Sequence, residues 1–281
     1  MRHPSKADIM AVEERCIYCA APPTSVEHMP PISMFRGRIR PYGLMFAGCA
    51  ACNNGTSAAD LVAGFIARLS PRYDQDDWKI VEARERSGML EAQAPGFLNE
   101  FFDPRQRSVE WLRTPSGIRR PMIVMRQSGP LLRAYLDVFA AKLAMALYRH
   151  HCGHPLPIGG FVMCGTYLNA GLAPDTAKAL LSIMPVQAGL RQGRRNHADD
   201  QFIYRFNTDE RSVVAALAQF HDGLYVSALA FGTTDPYGQL PLLPHHRRVR
   251  PGDLPGMMPF RSRPWSVQRA LMIKPLAPSP S

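Results

Sequence analysis

Apolar residues recur at helical spacing in three parts of the chain. One helix is predicted from Ala58 to Leu69, directly after Ser57, which is a favourable N-cap residue. A longer helix is predicted from Leu131 to His150, a stretch rich in helix-forming residues with an apolar face. A third is predicted at residues 175–183. These segments form the helical part of a predicted α+β fold.

Two runs in the last third of the chain have the composition of β-strands. They cover residues 201–207 and 213–231, and the second run is divided by His221, Asp222 and Gly223. An Asp-Gly pair between two strand-like runs is typical of a hairpin turn. Residues 72–130 combine a charged amphipathic stretch with a Pro- and Arg-rich one. Their pattern favours no single type of element.

These patterns divide the chain into four segments. We expect a flexible arm at residues 1–11, a small metal-stabilised module at 12–70, a mixed α+β domain of unassigned role at 71–240 and a basic, Pro-rich, irregular tail at 241–281. A chain of 281 residues is long enough for two domains, each with its own core. No run approaches the roughly 18 apolar residues of a membrane span, and the first residues lack the apolar region of a secretory signal. A cytoplasmic protein is therefore predicted, without membrane attachment.

The balance of charge is strongly basic. The formal net charge is +10 at pH 7. Lysines and arginines that neutralise phosphates release condensed counterions, so a basic chain favours a polyanionic partner. Many basic proteins bind no nucleic acid, and the charge alone does not decide the function.

Four of the six cysteines form two C-x-x-C pairs, Cys16 with Cys19 and Cys49 with Cys52. Two cysteines at this spacing can both bind one metal ion from a tight turn, so the pairs predict a tetrahedral structural zinc site. Buried free thiols or disulfides are the weaker alternatives in a reducing compartment. The remaining cysteines, 152 and 164, lie in apolar surroundings and are expected to be small buried residues.

The sequence between and after the cysteine pairs contains Glu27-His28 and then Asn53-Asn54-Gly55. The order C-x-x-C, E-H-x-x-P, C-x-x-C-N-x-G-x-S resembles the HNH endonucleases, in the subgroup that carries two zinc-binding cysteine pairs. The resemblance covers roughly residues 14–66 and leaves the rest of the chain unassigned. It implies a small zinc-stapled ββα-metal module of treble-clef-like shape, followed here by a mixed α+β domain.

The resemblance also implies roles for individual residues. Glu27 and Asn53 correspond to ligands of a catalytic cation, with Asn53 favoured over Asn54, and His28 corresponds to the general base. Oxygen ligands of this kind suit Mg²⁺ or Mn²⁺, and a histidine can remove a proton from water near neutral pH. Asp60, one turn into the predicted helix, is expected to be structural or to support a neighbouring site residue, and not to be a metal ligand.

One position departs from the family pattern. Many HNH endonucleases carry an asparagine about five residues before the second cysteine pair, where it orients the loop of the base. This chain has Leu44 there. The resemblance therefore implies that any contact orienting His28 comes from another group.

Three arginines alternate between the expected base and the second cysteine pair. Arg36, Arg38 and Arg40 would lie on one side of an extended segment and are expected to contact phosphates. The sequence thus predicts a metal-dependent endonuclease with a nucleic-acid partner, DNA favoured over RNA, and cleavage of both strands would favour a homodimer. The alternative is a non-catalytic zinc ribbon that binds nucleic acid or a protein partner.

Overall fold

A computed structural model describes most of the chain. It covers residues 5–260 apart from residues 39–40, 42, 70–76, 114–116, 126–128, 169–173, 193–195 and 244. The last part of the predicted basic tail, residues 261–281, therefore lies outside the described residues, as does Arg40.

The N-terminal segment contains a pair of short strands followed by helices. Its elements are α1 (Lys6–Val12), β1 (Ser25–His28), β2 (Met45–Gly48), α2 (Ala50–Asn53) and α3 (Ser57–Ile66). Strands β1 and β2 are antiparallel, and His28 is paired with Met45. A 3-10 turn at Asn54–Thr56 joins α2 to α3. The predicted helix at residues 58–69 is thus confirmed as α3, although Thr56, and not Ser57, is its N-cap.

A helical segment and a two-stranded sheet follow. The elements are α4 (Asp77–Gln93), α5 (Phe97–Phe101), β3 (Arg107–Arg113), β4 (Arg119–Met125) and α6 (Pro130–Cys152). Helix α6 confirms the predicted long helix and is buried along most of its length. Strands β3 and β4 form an antiparallel ribbon of their own.

The C-terminal half contains a six-stranded sheet, two helices and a separate pair of short strands. Its elements are β5 (Phe161–Leu168), α7 (Pro174–Ile183), β6 (Val186–Gly189), β7 (Arg191–Gln192), β8 (Asn196–His197), β9 (Phe202–Thr208), β10 (Val213–Phe220), β11 (Leu224–Phe231), β12 (His246–Val249) and α8 (Leu254–Met257). The strand order of the sheet is β12-β5-β11-β10-β9-β6, and every neighbouring pair is antiparallel. Strands β7 and β8 form the separate pair. The predicted third helix and the predicted hairpin are confirmed as α7 and as β10 and β11. The mixed α+β class is confirmed as well.

Two terminal segments differ from their predictions. The segment expected to be a flexible arm contains α1, whose N-cap Ser5 and Asp8 form a reciprocal capping box. The segment expected to be an irregular tail contributes β12 to the edge of the sheet. Its basic side chains are accommodated because an edge strand tolerates charge: Arg247 pairs with Asp137 on α6, and Val249 is buried.

Helix α6 joins the N-terminal segment to the sheet. It packs against α3 on one side and against β5, β10 and β11 on another. One continuous hydrophobic cluster includes Ile17 of the N-terminal segment, Phe139 of α6 and Val226 of the sheet. The two segments therefore share a core. Among the described residues, no helix is both long and apolar enough to cross a membrane.

Candidate functional site

The four cysteines of the two C-x-x-C pairs lie together. Cys16 and Cys19 precede β1, Cys49 is the N-cap of α2, and Cys52 lies within that helix. Their four sulfur atoms all lie within 4.8 Å of one another, and the thiols of Cys19 and Cys49 are 3.6 Å apart. All four are free cysteines. The predicted cluster is thus observed, and it could hold a zinc ion.

The polar surroundings of the cluster favour a thiolate at Cys16. A hydrogen bond from Cys52 and the amide of Tyr18, whose nitrogen is 3.4 Å from the Cys16 sulfur, lower the pKa of Cys16 to about 5. Metal binding requires deprotonated sulfur. Burial raises the pKa of Cys19 to about 11, and the hydrogen bond with Cys16 raises the pKa of Cys52. The contacts within the cluster therefore favour a thiolate at Cys16 and not at Cys19 or Cys52.

Glu27 is buried directly beside this cluster, on β1. Its side chain is 2 % exposed, and its Oε1 atom lies 3.4 Å from the ammonium nitrogen of Lys142 on α6. Asp60 of α3 shares the same ammonium, at 2.6 Å from its Oδ2 atom. Lys142 itself is fully buried. Two carboxylates and one lysine thus form a buried charged triad.

Burial and pairing act against each other on the pKa values of this triad. Burial raises the pKa of Glu27 to about 7, although the charge of Lys142 opposes the shift. The pKa of Asp60 is raised for the same reason. Burial alone would lower the pKa of Lys142, but the carboxylates of Asp60 and Glu27 raise it above its ordinary value. Lys142 is therefore favoured in its charged form, and its charge limits the rise in the pKa of both acids.

Asn53 fastens the end of α2 to β1. Its side-chain amide nitrogen donates to Ser25 Oγ at 3.0 Å and to the carbonyl of Val26 at 3.2 Å. This orientation gives the amide a structural role and leaves its oxygen as an acceptor. A cation-binding role for that oxygen is compatible with these contacts.

A cavity of about 530 Å³ brings the predicted residues together. Glu27, His28 and Asn53 line it, as does Asp60. The opposite wall comes from α4, a helix that the sequence pattern did not assign; its lining residues are Glu82, Glu85, Arg86, Met89 and Gln93. The cavity lies between the N-terminal segment and α4, so it exists only because both are present.

A buried arginine holds the loop that follows β1 against this cavity. Arg68 is 1 % exposed and donates to the carbonyl groups of Ser33 at 2.7 Å, Gly64 at 2.5 Å and Phe35 at 3.2 Å. It also forms an ion pair with Glu82 of α4. Arg86 of the same helix donates to Ser33 as well, at 3.0 Å. The loop that continues from His28 is therefore fixed by two arginines.

The structure describes the three predicted phosphate-binding arginines to different extents, and the first two do not lie in the expected extended segment. Arg36 is exposed, and its guanidinium carbon lies 4.9 Å from the centre of the Trp78 ring. Arg38 lies in a 3-10 turn, Arg36–Arg38, interrupted by Gly37 with φ of 59°, so the expected extended segment is not formed there. Its side chain lies outside the described residues, and so does all of Arg40.

Leu44, where the HNH pattern would place an asparagine, is buried with a φ of 51°. Its carbonyl accepts a hydrogen bond from the amide of Met29, the residue after His28, at 3.1 Å. The backbone of Leu44 thus contacts the chain next to the expected base. Of the other two cysteines, Cys164 is buried as predicted, whereas Cys152 is only partly buried.

Sequence reasoning missed Lys142 and Arg86. Lys142 lies in the run Phe139–Tyr148, where it is the one charged residue among apolar neighbours. A single lysine in such a run is the signal that could have revealed a buried partner. Arg86 offered no comparable signal, because α4 is rich in charge throughout.

The comparisons with known proteins give no relative. No protein-family model matches the chain, and searches of the curated proteins and of the solved structures find no match.

Proposed function

We propose that this protein is a metal-dependent endonuclease of the HNH type that hydrolyses phosphodiester bonds in nucleic acid, with DNA favoured. The observation that carries the proposal is the common cavity of Glu27, His28 and Asn53, beside a cysteine cluster that could hold zinc. A binding-only zinc ribbon has no need for a histidine and a carboxylate in one cavity. The net charge of +10 is in keeping with a polyanionic substrate.

Two buried carboxylate oxygens support the proposal of a catalytic Mg²⁺ or Mn²⁺ ion in this cavity. The Oε2 atom of Glu27 and the Oδ1 atom of Asp60 are buried without a hydrogen-bond partner among the described residues. Hard cations prefer such oxygen atoms. Among the described residues, only the four cysteines bring three or more Cys, His or carboxylate ligand atoms together. A cation held by Glu27 and Asn53 would therefore take its remaining ligands from phosphate oxygens and water.

Under this proposal, each residue of the site has a defined role. His28 accepts the proton of the attacking water, which a neutral imidazole can do near pH 7. Glu27 and Asn53 would hold the cation, and the charge of Lys142 opposes the rise in the pKa of Glu27 that burial causes. When bound, the cation polarises the scissile phosphate and stabilises the negative charge that develops there. The zinc site stabilises the backbone that carries these groups.

Cleavage of supercoiled plasmid tests the proposal. We expect the zinc-loaded protein to nick or linearise the plasmid with Mg²⁺ or Mn²⁺ and not with EDTA. The His28→Ala variant should lose at least about a hundredfold in rate, since a general base contributes roughly 10²–10⁴. His154→Ala is the matched control, because His154 is exposed and does not line the cavity.

The outcomes separate the nuclease from the zinc ribbon. Metal-dependent cleavage that His28→Ala abolishes and His154→Ala retains supports the nuclease. A wild-type protein that binds DNA or RNA with its zinc in place, yet cleaves neither, supports the non-catalytic ribbon instead.

A further inference from the structure

The ribbon formed by β3 and β4 belongs neither to the β1–β2 pair nor to the six-stranded sheet. Its strands pair with each other and, among the described residues, with no third strand. Val109 is 67 % exposed and Trp111 is 63 % exposed. An isolated two-stranded ribbon is only marginally stable in water. Large apolar side chains at this exposure point to a binding partner.

One face of the ribbon combines arginines with an aromatic ring. Because side chains alternate along a strand, Arg107, Val109, Trp111 and Arg113 share a face of β3. Arg119 of β4 lies directly opposite Arg113 on that face. All of these side chains are exposed. We call this set of five residues the basic face.

The charges of the basic face favour an anionic partner. Like charges placed directly opposite on neighbouring strands destabilise the pair, so the Arg113–Arg119 register costs stability in the free protein. An anion bound between the two guanidinium groups removes that cost. Glu110 is the one acidic residue in the two strands. By the alternation of side chains it belongs to the other face.

The chain just before the ribbon is anchored to the start of α6. It connects α5 to α6, and α6 carries Lys142. Just before the ribbon, Glu100 accepts hydrogen bonds from the amides of Leu131 at 3.0 Å and Leu132 at 2.9 Å, at the start of α6. This carboxylate at the positive end of a long helix ties the two ends of the ribbon together.

We propose that the basic face is a nucleic-acid binding site separate from the catalytic cavity, in which arginines bind phosphates and Trp111 stacks on a base. This inference rests on the proposed function for its choice of partner. A two-stranded ribbon fits the major groove of a duplex, arginines bind phosphates through two parallel hydrogen bonds, and aromatic rings stack on unpaired bases regardless of sequence.

The test measures binding of fluorescent duplex and single-stranded DNA, and of single-stranded RNA, by the zinc-loaded full-length protein with EDTA-free buffer and no Mg²⁺. The variant Arg113→Gln/Arg119→Gln should bind at least about tenfold more weakly. The slope of log affinity against log salt should fall by roughly 1–2, since each lost phosphate contact reduces it by about 0.7–0.9. Trp111→Ala should weaken binding to single strands more than to duplex, by roughly tenfold.

A charge-matched control distinguishes binding at the basic face from general electrostatic attraction of nucleic acid to a basic protein. Lys178→Gln/Arg211→Gln removes two positive charges from exposed residues outside the ribbon. We expect it to bind nearly as the wild type does. Equal losses in the control and in the Arg113/Arg119 variant would overturn the inference, because they would show a diffuse charge effect.

The remaining outcomes distinguish this inference from the nuclease itself. Ribbon variants that bind as the wild type does, in a protein that cleaves plasmid, refute the binding site and leave the nuclease standing. Weakened binding in a protein that never cleaves supports the binding site without the nuclease. Unchanged binding together with a change from dimer to monomer in light scattering would assign the face to self-association and overturn the inference.

Discussion

In the interior, the ammonium group of Lys142 pairs with the carboxylates of both Glu27 and Asp60. Transferring three charged groups from water costs several kcal/mol per group, and close pairing offsets this cost only while every partner is present. The distances of 2.6 Å and 3.4 Å from the Lys142 nitrogen show that one ammonium serves both acids. The geometry of Glu27 in the cavity therefore depends on a residue of α6.

Replacing Lys142 by methionine should strongly destabilise the protein. The variant keeps most of the side-chain volume but leaves two buried carboxyl groups without their cation, and breaking a buried ion pair costs about 3–5 kcal/mol. Added Mn²⁺ should recover part of the loss, because it would become the compensating charge. Urea unfolding of zinc-loaded protein, with and without Mn²⁺, measures both effects.

The double variant Lys142→Met/Asp60→Asn is the control. It removes one negative charge along with the positive one, so it should be more stable than Lys142→Met alone. If Lys142→Met unfolded at the same urea concentration as the wild type, the buried triad would have no structural importance.

The candidate residues near the cysteines could be named from the sequence because a short motif contains them. Glu27, His28 and Asn53 lie within the one block that resembles the HNH pattern, and the resemblance grouped them. Lys142 and Arg86 could not be found in this way, since they reach the cavity through tertiary packing. Motif spacing carries no information about which distant helix covers the site.

Helix α3 and the loop after β1 meet at Gly64 with no space between them. A Cβ atom at this position would lie 2.8 Å from the carbonyl oxygen of Ser33. Arg68, one turn later, donates to both of these residues. A helix interior normally disfavours glycine by roughly 0.5–1 kcal/mol relative to alanine. The close approach of the loop accounts for the glycine here.

Gly64→Ala should therefore destabilise the protein despite the better helix propensity of alanine. Forcing a methyl group against backbone costs about 1–3 kcal/mol, and the displaced loop should lower any cleavage rate. Gly88→Ala in α4 is the matched control, because nothing lies within 4 Å of its added Cβ atom. The control should gain up to about 1 kcal/mol in urea unfolding. A gain for both variants would contradict the tight packing at Gly64.

Most elements that the sequence predicted have clear periodicity, as helices α3 and α7 and the β10–β11 hairpin do. Helix α6 is buried on nearly all sides and was predicted from its helix-forming residues. Helix α4 lacks clear periodicity, because it combines charged residues facing the cavity with only a few buried apolar ones, such as Leu90. Strand β12 was missed because basic side chains dominate it, and its place at the sheet edge depends on contacts with β5.

At the scale of the whole molecule, the N-terminal segment is not a separate body in its packing. Phe65 of α3 lies edge-on to Phe97 of α5, with 6.0 Å between ring centres. His221, in the turn between β10 and β11, donates through Nε2 to the carbonyl of Met34 at 2.7 Å. The boundary at residue 70 stays a prediction, but the core continues across it.

A fragment of residues 1–69 should consequently fail to fold cooperatively, even with one equivalent of zinc. It would expose the apolar side of α3, including Phe65 and Val62, and leave Glu27 and Asp60 without Lys142. Circular dichroism during heating, compared with the full-length protein, measures the transition. A sharp transition in the zinc-bound fragment would support the predicted division into domains.

The triad of Glu27, Asp60 and Lys142 also constrains how this protein can diverge. Loss of the lysine alone leaves two carboxyl groups in the core without a cation, whereas loss of one acid leaves a balanced pair, so a change at position 142 should be tolerated over evolutionary time only together with a change at an acid. Homologues that lack the lysine should also have a neutral residue at position 60 or 27. Grafting residues 12–70 onto another scaffold should require transplanting the lysine of α6 with them.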